Sequence, residues 1–345
     1  MKLSTDFIRT THAGSLPRPS SLLASGDLRA AVAAIVRRQF DAGIDAVNDG
    51  DLARPDFSSY VLSRLSGFAG AAAVVRSGTG GLGPRRSGLR ASETCASLAC
   101  VGEIGYIGAP RLQAEIANLH AALVCSSGQE AFVSAPSPGA VAYAHPNCHY
   151  ADRERYLAAI AAAMKREYDA IHAAGLVLQL DCPDLVADDL GEEDRRLSIA
   201  ALNDVTRDIP AAEMRMRLSC CDSGAADHRE LPLCDVIRVV IAARPGALYL
   251  EAANPRRGHE WRVFESVRLP EDKTLIVGVV DPTSRYVEHP RLVADRIVRY
   301  ARLVGRERVI AATDGGFPTD ARERLAWAKL DAVAEGALIA TGELW

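Results

Sequence analysis

Short apolar segments and stretches with helical spacing of apolar residues alternate along the whole chain. Helices are predicted over residues 28–42, 112–124, 153–174, 193–208, 232–243, 290–304 and 321–336. Short apolar segments predict strands that begin at positions 8, 44, 131, 176, 214, 247, 274 and 308. Because strand–helix alternation indicates parallel pairing, these eight units predict a closed (β/α)8 TIM barrel.

One segment departs from this alternation. Residues 69–90 are rich in Gly, Ala and Ser, and they carry four arginines and no acidic residue. This composition predicts an inserted loop or hairpin between the second and third barrel units. The segment could be a passive surface loop, a lid, or a docking element for a homo- or hetero-oligomer. Apart from this insertion, residues 1–345 are expected to form a single domain.

Composition narrows the class of partner and the compartment. Hydrophobic residues make up 48% of the chain, which is enough for a large core, and the net charge of −4 gives no electrostatic support to nucleic-acid binding. Charged residues interrupt every apolar stretch, and the first residues lack an apolar signal core, so neither a membrane span nor secretion is expected. The eight cysteines form no CxxC pair and are expected to be reduced, as in a cytoplasmic protein.

Polar residues follow nearly every predicted strand. In a TIM barrel the functional side chains lie at the carboxyl ends of the strands, where these residues would meet. They are His12, Ser15, Asp49, Asp51, Ser134, Asp181, Asp184, Cys220, Glu251, Asn254, Asp281, Thr313 and Asp314. Several carboxylates at one mouth raise each other's pKa, which suits cation binding or proton transfer.

Three stretches carry a resemblance to a known family. They are THAGSLPRP at residues 11–19, QLDCPDL at 179–185, and the region 248–316, which includes LYLEAANPRRGHEWRVFE and AATDGG. Together they resemble the cobalamin-independent methionine synthase family, in particular its short, single-barrel members. The resemblance implies that backbone N–H groups of Gly14 and Ser15 hold an amino-acid carboxylate. It also implies that Asp51 and Asp181 bind the amino group.

The same resemblance implies a zinc site that this chain does not complete. The family binds one zinc ion with a His-x-Cys pair, a Glu and a distant Cys. Here the His position is Leu218 and the distant Cys position is Gly315, so that Cys220 and Glu251 remain. Two ligands are too few for a zinc site, and we therefore predict neither a metal nor another cofactor. Recruitment of Cys182 as an additional ligand stays an open alternative.

Zinc in such a site presents a thiolate at neutral pH, and an amine nucleophile fits the remaining carboxylates better. The sequence therefore predicts metal-independent nucleophilic substitution on an amino-acid-like substrate, with ring closure by a nitrogen atom and loss of an anionic group as one form. The predicted catalytic residues are Asp181, Glu251 and Asp314. The predicted substrate-binding residues are His12, Gly14, Ser15, Asp49, Asp51, Ser134, Asp184, Cys220, Asn254, Arg256 and His259.

Two other functions are compatible with the sequence. One is a zinc-dependent methyl- or alkyltransferase to a thiol, with an altered ligand set. The other is a non-catalytic paralogue that binds a ligand or stabilises a partner. A further question concerns Arg217, Arg256, Arg257 and Arg285, each of which is either a partner for an anionic group of the substrate or a solvated surface arginine.

Overall fold

The central element of the protein is a parallel sheet of eight strands. The computed structural model describes residues 1–19, 26–54, 56–70, 98–124, 129–218, 230–318 and 321–345. The eight strands are β1 (Arg9–Thr10), β2 (Ala46–Val47), β5 (Glu130–Pro136), β6 (Val177–Asp181), β7 (Met214–Leu218), β8 (Ala247–Leu250), β9 (Thr274–Val280) and β10 (Val309–Thr313). Between β2 and β5, the short strands β3 (Phe68–Gly70) and β4 (Leu98–Cys100) form an antiparallel pair.

The sheet closes on itself. Its strand order is β1-β10-β9-β8-β7-β6-β5-β2, with parallel pairing throughout. The two end strands meet where the Asp45 N–H donates to the Thr10 carbonyl at 3.1 Å. The Thr11 hydroxyl adds a hydrogen bond of 2.9 Å to the Ala46 carbonyl. The predicted (β/α)8 TIM barrel is therefore confirmed, and each strand begins within two residues of its predicted start.

Ten α-helices accompany these strands among the described residues. They are α1 (Leu28–Asp41), α2 (Phe57–Arg64), α3 (Ala109–Leu123), α4 (Pro138–Ala144), α5 (Arg153–Ala173), α6 (Glu192–Val205), α7 (Leu233–Val240), α8 (Val263–Ser266), α9 (Pro290–Val304) and α10 (Glu323–Leu344). No helix in the described ranges is long and apolar enough to cross a membrane. The base of the predicted 69–90 insertion is the β3–β4 pair, while residues 71–97 lie outside the described residues.

The last helix ends later than predicted. The sequence predicts an end at Gly336, but α10 continues to Leu344. A Cβ atom at Gly336 would collide with Val293 of α9. The glycine therefore allows close packing of α9 against α10, and it does not terminate the helix.

Apolar side chains form two layers, one on each face of the sheet. The larger layer lies between sheet and helices and includes Met214, Met216 and Leu218 of β7. The smaller layer fills the inside of the barrel with side chains such as Tyr249 and Ile276. Since side chains alternate across a strand, the remaining residues of β7, Arg215 and Arg217, face the barrel interior.

A buried ion-pair network joins α2, α3 and α5 beside the barrel. Arg64 lies 2.6 Å from Glu115 and 3.2 Å from Glu167. Arg54, in the loop after β2, lies 2.9 Å from Glu115. The Tyr60 hydroxyl donates to Glu167. Because the charges alternate in sign, each carboxylate removed from water has a cationic partner.

Candidate active site

The turn after β1 brings Gly14 and Ser15 to the carboxyl ends of the strands. Ser15 Oγ donates a hydrogen bond of 3.0 Å to Asp51 Oδ2. Gly14 has a φ of 130°, and a Cβ atom there would lie 2.8 Å from Asp51 Oδ2 and 3.0 Å from Ser134 Oγ. The backbone of Gly14 thus approaches the polar side chains of β5 and the β2 loop closely. No acceptor for the Ser15 N–H is found among the described residues.

His12 supports this turn from below. Its side chain is buried, its Nε2 lies 2.7 Å from Gln39 Oε1, and its Nδ1 accepts the Gly14 N–H at 3.2 Å. Burial lowers the pKa of His12 to about 3, so the ring is neutral at physiological pH. Both ring nitrogens are engaged within the protein. His12 therefore holds the turn through Gly14, and its direct contact with substrate stays a prediction.

The loop after β2 holds Asp51 in a strained conformation. Asp51 has a φ of 53°, which makes it the single non-glycine residue with positive φ in the described ranges. Asp49 Oδ1 accepts the Asp51 N–H at 3.0 Å, and Asn48 Oδ1 accepts the Gly50 N–H at 2.8 Å. Burial raises the pKa of Asp49 to about 6 and also raises the pKa of Asp51. Strain held in place by side chains is typical of functional sites.

Asp181 ends β6 and completes a charged group with Asp51 and Arg217. Gln179 Nε2 donates to Asp181 Oδ1 at 3.0 Å and to Ser134 Oγ at 3.2 Å. Arg217 Nη1 lies 3.8 Å from Asp181 Oδ1. Burial raises the pKa of Asp181, Arg217 lowers it, and the charge of Asp51 raises it further. We call Ser15, Asp51, Ser134, Asp181 and Arg217 the mouth cluster.

The charged side chains of the mouth cluster are partly exposed to solvent. The side chain of Asp181 is 32% exposed, that of Asp51 is 14% exposed, and that of Arg217 is 13% exposed. Two carboxylates and one guanidinium are thus partly desolvated and still within reach of a small ligand. Such a group can bind an ammonium, accept a proton from it, and hold an anion beside it.

Asp184 and Cys182 are not in this cluster. The Asp184 side chain is fully buried under α4 and α6, and Ser137 Oγ donates to its Oδ1 at 3.3 Å. Burial raises the pKa of Asp184 to about 6. Cys182 is also fully buried, and burial raises the pKa of its thiol. Asp184 thus lies buried away from the mouth cluster, and its contact with substrate stays a prediction.

Asp314 binds backbone groups of the loop after β8. Its Oδ1 accepts the N–H groups of Ala252 and Ala253 at 2.8 and 2.9 Å, and its Oδ2 accepts that of Asn254 at 2.6 Å. Burial raises its pKa to about 7, although these three bonds favour the charged form. These bonds position the loop that follows Glu251, and the catalytic role of Asp314 stays a prediction.

The arginines of the later loops differ in environment. Arg257 is buried and makes ion pairs with Glu230 and with Glu260, the latter at 3.0 Å. Arg256 and Arg285 are exposed, as is His259. Asn254 Oδ1 accepts the Arg256 N–H at 3.0 Å, which shapes this turn. Of the four arginines considered as partners for an anion, Arg217 is thus the one that lies in the mouth cluster.

The described residues do not fit a zinc site. Leu218 packs into the apolar layer between sheet and helices, and Gly315 offers no side chain. Glu251 is partly exposed at the end of β8, while Cys220 lies outside the described residues. Within the described ranges, no group of three or more His, Cys, Asp or Glu residues could hold a metal ion. No step of the chemistry below is therefore assigned to a metal.

Three further site residues were not predicted from the sequence. Gln179 bridges Ser134 and Asp181, and Arg215 donates to Gln179 Oε1 at 2.8 Å. Arg54 donates to the Ser134 carbonyl and lies 3.7 Å from Asp51. Their partners are mostly distant in sequence, and the one local signal was the position of Gln179 two residues before Asp181 on the same strand.

This arrangement defines a (β/α)8 barrel with a charged site at the carboxyl ends of its strands. A B12-independent methionine synthase from Shewanella sp. W3-18-1, in complex with selenomethionine, is similar, with a TM-score of 0.76 and 20% identity over 98% of this chain and 99% of that one. A putative vitamin-B12 independent methionine synthase from Listeria monocytogenes gives a TM-score of 0.68 and 18% identity over 98% and 99% of the two chains. No protein-family model and no curated protein matches the sequence. The resemblance seen in the sequence is thus confirmed for the fold.

Substitution of Gly14 by alanine should impair the site beyond its effect on stability. The new Cβ atom would displace Asp51 or Ser134, because it would lie 2.8 and 3.0 Å from their oxygens. Gly175→Ala is the matched control, since Gly175 has a φ of 72° and open space around it. Gly175→Ala should lose about 1 kcal/mol of unfolding free energy in urea titrations. Gly14→Ala should lose more, because its Cβ atom also displaces neighbouring side chains. Calorimetric binding of amino acids should weaken only in Gly14→Ala, and equal binding in both variants would contradict this prediction.

Proposed function

We propose that the chain is an enzyme that performs nucleophilic substitution on an amino-acid-like substrate without a metal. In this proposal the substrate nitrogen attacks a carbon of the same molecule, a small nitrogen ring closes, and an anionic group leaves. The observation that carries the proposal is the mouth cluster, where Asp51 and Asp181 lie beside the Arg217 guanidinium. In the part of the chain that the structure describes, no group of three or more His, Cys, Asp or Glu residues could hold a metal ion.

Each part of the substrate has a partner in this proposal. The Ser15 N–H binds the carboxylate, and Asp51 and Asp181 bind the ammonium group. Arg217 holds the anionic leaving group, because its guanidinium lies beside Asp181, with Nη1 3.8 Å from Asp181 Oδ1. The Shewanella protein is in complex with selenomethionine, an amino acid, which supports an amino-acid ligand for this similar barrel.

The chemical step balances with these residues alone. The ammonium gives one proton to the Asp181 carboxylate, and the freed lone pair forms the new carbon–nitrogen bond. The bond between carbon and the leaving oxygen breaks, and its electron pair departs with a sulfate or phosphate anion. Arg217 stabilises the charge that develops on this anion. Since an amine needs only a base, no thiolate has to be generated.

The decisive assay compares two reaction mixtures. The protein is incubated with homocysteine and a methylfolate, and separately with amino acids that carry a sulfate or phosphate ester on the side chain. We expect release of the inorganic anion together with loss of the free amine in the second reaction, and little methionine in the first. Efficient formation of methionine would refute the amine mechanism and favour thiol alkylation. No reaction in either mixture, together with ligand binding, would favour a non-catalytic paralogue.

The metal content gives an independent test. Because Leu218 and Gly315 supply no ligand atoms, the purified protein should contain well under one zinc per chain, measured by elemental analysis. Chelators should leave the anion-release activity unchanged. Stoichiometric zinc, and loss of activity with a chelator, would instead support the altered ligand set. Cysteine-to-serine substitution at Cys182 and Cys220 would then identify the ligands.

A further inference from the structure

An arginine lies inside the barrel, directly below the mouth cluster. The Arg215 side chain is 1% exposed, and its guanidinium carbon lies 3.4 Å from the centre of the Phe132 ring. Its Nη1 donates to Thr11 Oγ1 at 2.9 Å, and its Nη2 donates to the His12 carbonyl at 3.0 Å. Branched apolar side chains ordinarily fill this layer of a TIM barrel. Burial of a cation at this place costs desolvation energy. We therefore look for a role of Arg215 other than filling space.

The remaining contact of Arg215 fixes the orientation of an amide. Arg215 Nε donates to Gln179 Oε1 at 2.8 Å. Gln179 Nε2 then points the other way and donates to the Ala13 carbonyl at 2.7 Å and to Asp181 Oδ1 at 3.0 Å. A guanidinium has only donors, so it can face the oxygen of the amide and not its nitrogen. If the amide were turned over, two acceptor oxygens would face each other at Asp181.

We infer that Arg215 is a positioning residue that keeps the Gln179 amide turned towards Asp181 as a donor, and so keeps Asp181 able to accept a proton. This inference rests on the proposed function, because it assigns Arg215 to the base of that reaction. The same guanidinium also holds the His12 carbonyl, and His12 in turn accepts the Gly14 N–H. One buried side chain thereby connects both halves of the substrate site.

Other charged groups around Asp181 also affect its pKa, in addition to the contacts from Arg215 through Gln179. They come from Arg217 on the neighbouring strand β7 and from Asp51 in the loop after β2, and the Cys182 thiol is the next residue in the chain. Arg217 and the Gln179 hydrogen bond lower the pKa of Asp181, and Asp51 raises it. Arg215 itself also lowers this pKa through its charge. The test must therefore separate the direct charge of Arg215 from its action through Gln179.

A double-mutant cycle makes this separation. The pKa of Asp181 is measured by carbon-13 NMR of aspartate-labelled protein, with the signal assigned from Asp181→Asn. Gln179→Met and Arg215→Met should each raise this pKa by about one unit, the scale of one hydrogen bond to a carboxylate. If Arg215 acts through Gln179, the double variant should show no more than the larger single shift. Asn203→Asp, a partly exposed change on α6, is the control and should shift nothing.

Two results would overturn the inference: an unchanged pKa in Arg215→Met, or shifts that simply add in the double variant. If Arg215→Met does not fold, Arg215→Lys replaces it, because lysine keeps the charge and lacks the fixed planar donors. An unchanged pKa in Arg215→Lys would then refute positioning.

A separate measurement distinguishes this inference from the proposed function. Calorimetric titration with L-methionine, in parent and Asp181→Asn protein, tests the amino-acid site. If L-methionine binding depends on Asp181 but the pKa of Asp181 is unchanged in the Arg215 variants, only the positioning role of Arg215 is refuted. If the pKa of Asp181 shifts in those variants but the protein neither binds nor turns over an amino acid, only the proposed function is refuted.

Discussion

Replacement of Asp181 by asparagine should lower kcat by about 10²-fold or more, with little change in the unfolding free energy. The physical reason is that the amide cannot accept the ammonium proton, so the attacking nitrogen keeps its lone pair engaged. The parent enzyme should become faster as pH rises through the pKa of Asp181, which burial raises above its usual value. This ascending limb should disappear in Asp181→Asn.

The control for this experiment is Asp169→Asn. Asp169 lies on the outer helix α5, where its exposed carboxylate pairs with Lys165 at 3.0 Å. Activity of this variant should stay within about twofold of the parent, as is usual for exposed ion pairs. Anion release measured against pH gives kcat for all three proteins. Full activity in Asp181→Asn would show that the base is another carboxylate, with Asp51 as the next to replace.

Replacement of Arg64 by methionine should cost about 3–5 kcal/mol of unfolding free energy, the largest loss of stability expected here. Arg64 is 1% exposed and contacts Glu115 and Glu167 in the buried ion-pair network. Its removal leaves Glu167 buried beside one fewer cation, and burial of an uncompensated charge is what makes such changes costly. Urea titrations of parent and variant measure the difference.

The same substitution at an exposed pair provides the comparison. Arg207 lies 2.7 Å from Asp204 on the surface, where both side chains are more than half exposed. Arg207→Met should therefore change the unfolding free energy by less than about 1 kcal/mol. Equal losses at the two positions would mean that burial of the network adds nothing.

At acidic pH the difference in unfolding free energy between Arg64→Met and the parent should become smaller. Burial raises the pKa of Glu115, but Arg54 and Arg64 lower it more, so that it lies below its usual value. Glu115 thus adds stability above about pH 4.3, and the parent loses this contribution as pH falls through the lowered pKa. The variant has a smaller contribution to lose.

The barrel could be predicted because its signal is local and repeated. Each strand start depends on a few consecutive apolar residues, which is why all eight lie within two positions of those observed. Local signals failed where their meaning depends on tertiary packing. The sequence PSPG at residues 136–139 is typical of a turn, but Ser137 Oγ accepts the Ala140 N–H at 3.0 Å and starts helix α4. Proline is well suited to the first position of a helix.

The sequence indicates which end of the barrel carries the polar residues, but it does not indicate their hydrogen-bond partners. Asp51 and Asp181 follow strands, so the fold brings them to one end of the barrel. Whether a polar residue faces the mouth or supports it depends on partners distant in sequence. His12 is held by Gln39, and Asp314 is held by the backbone of the β8 loop, which no spacing rule indicates. Arg215 and Arg217 are two residues apart on one strand, yet one lies below the mouth cluster and the other within it.

The bonds of Asp314 act as a crosslink between two loops. Its carboxylate joins the segment after β10 to three successive N–H groups after β8. A metal ion in a protein ties its ligand loops together and so removes their freedom before substrate arrives. Here an ordinary side chain joins two loops in the same way, so this part of the barrel mouth is already ordered and a ligand that binds there need not bear the entropy of ordering it.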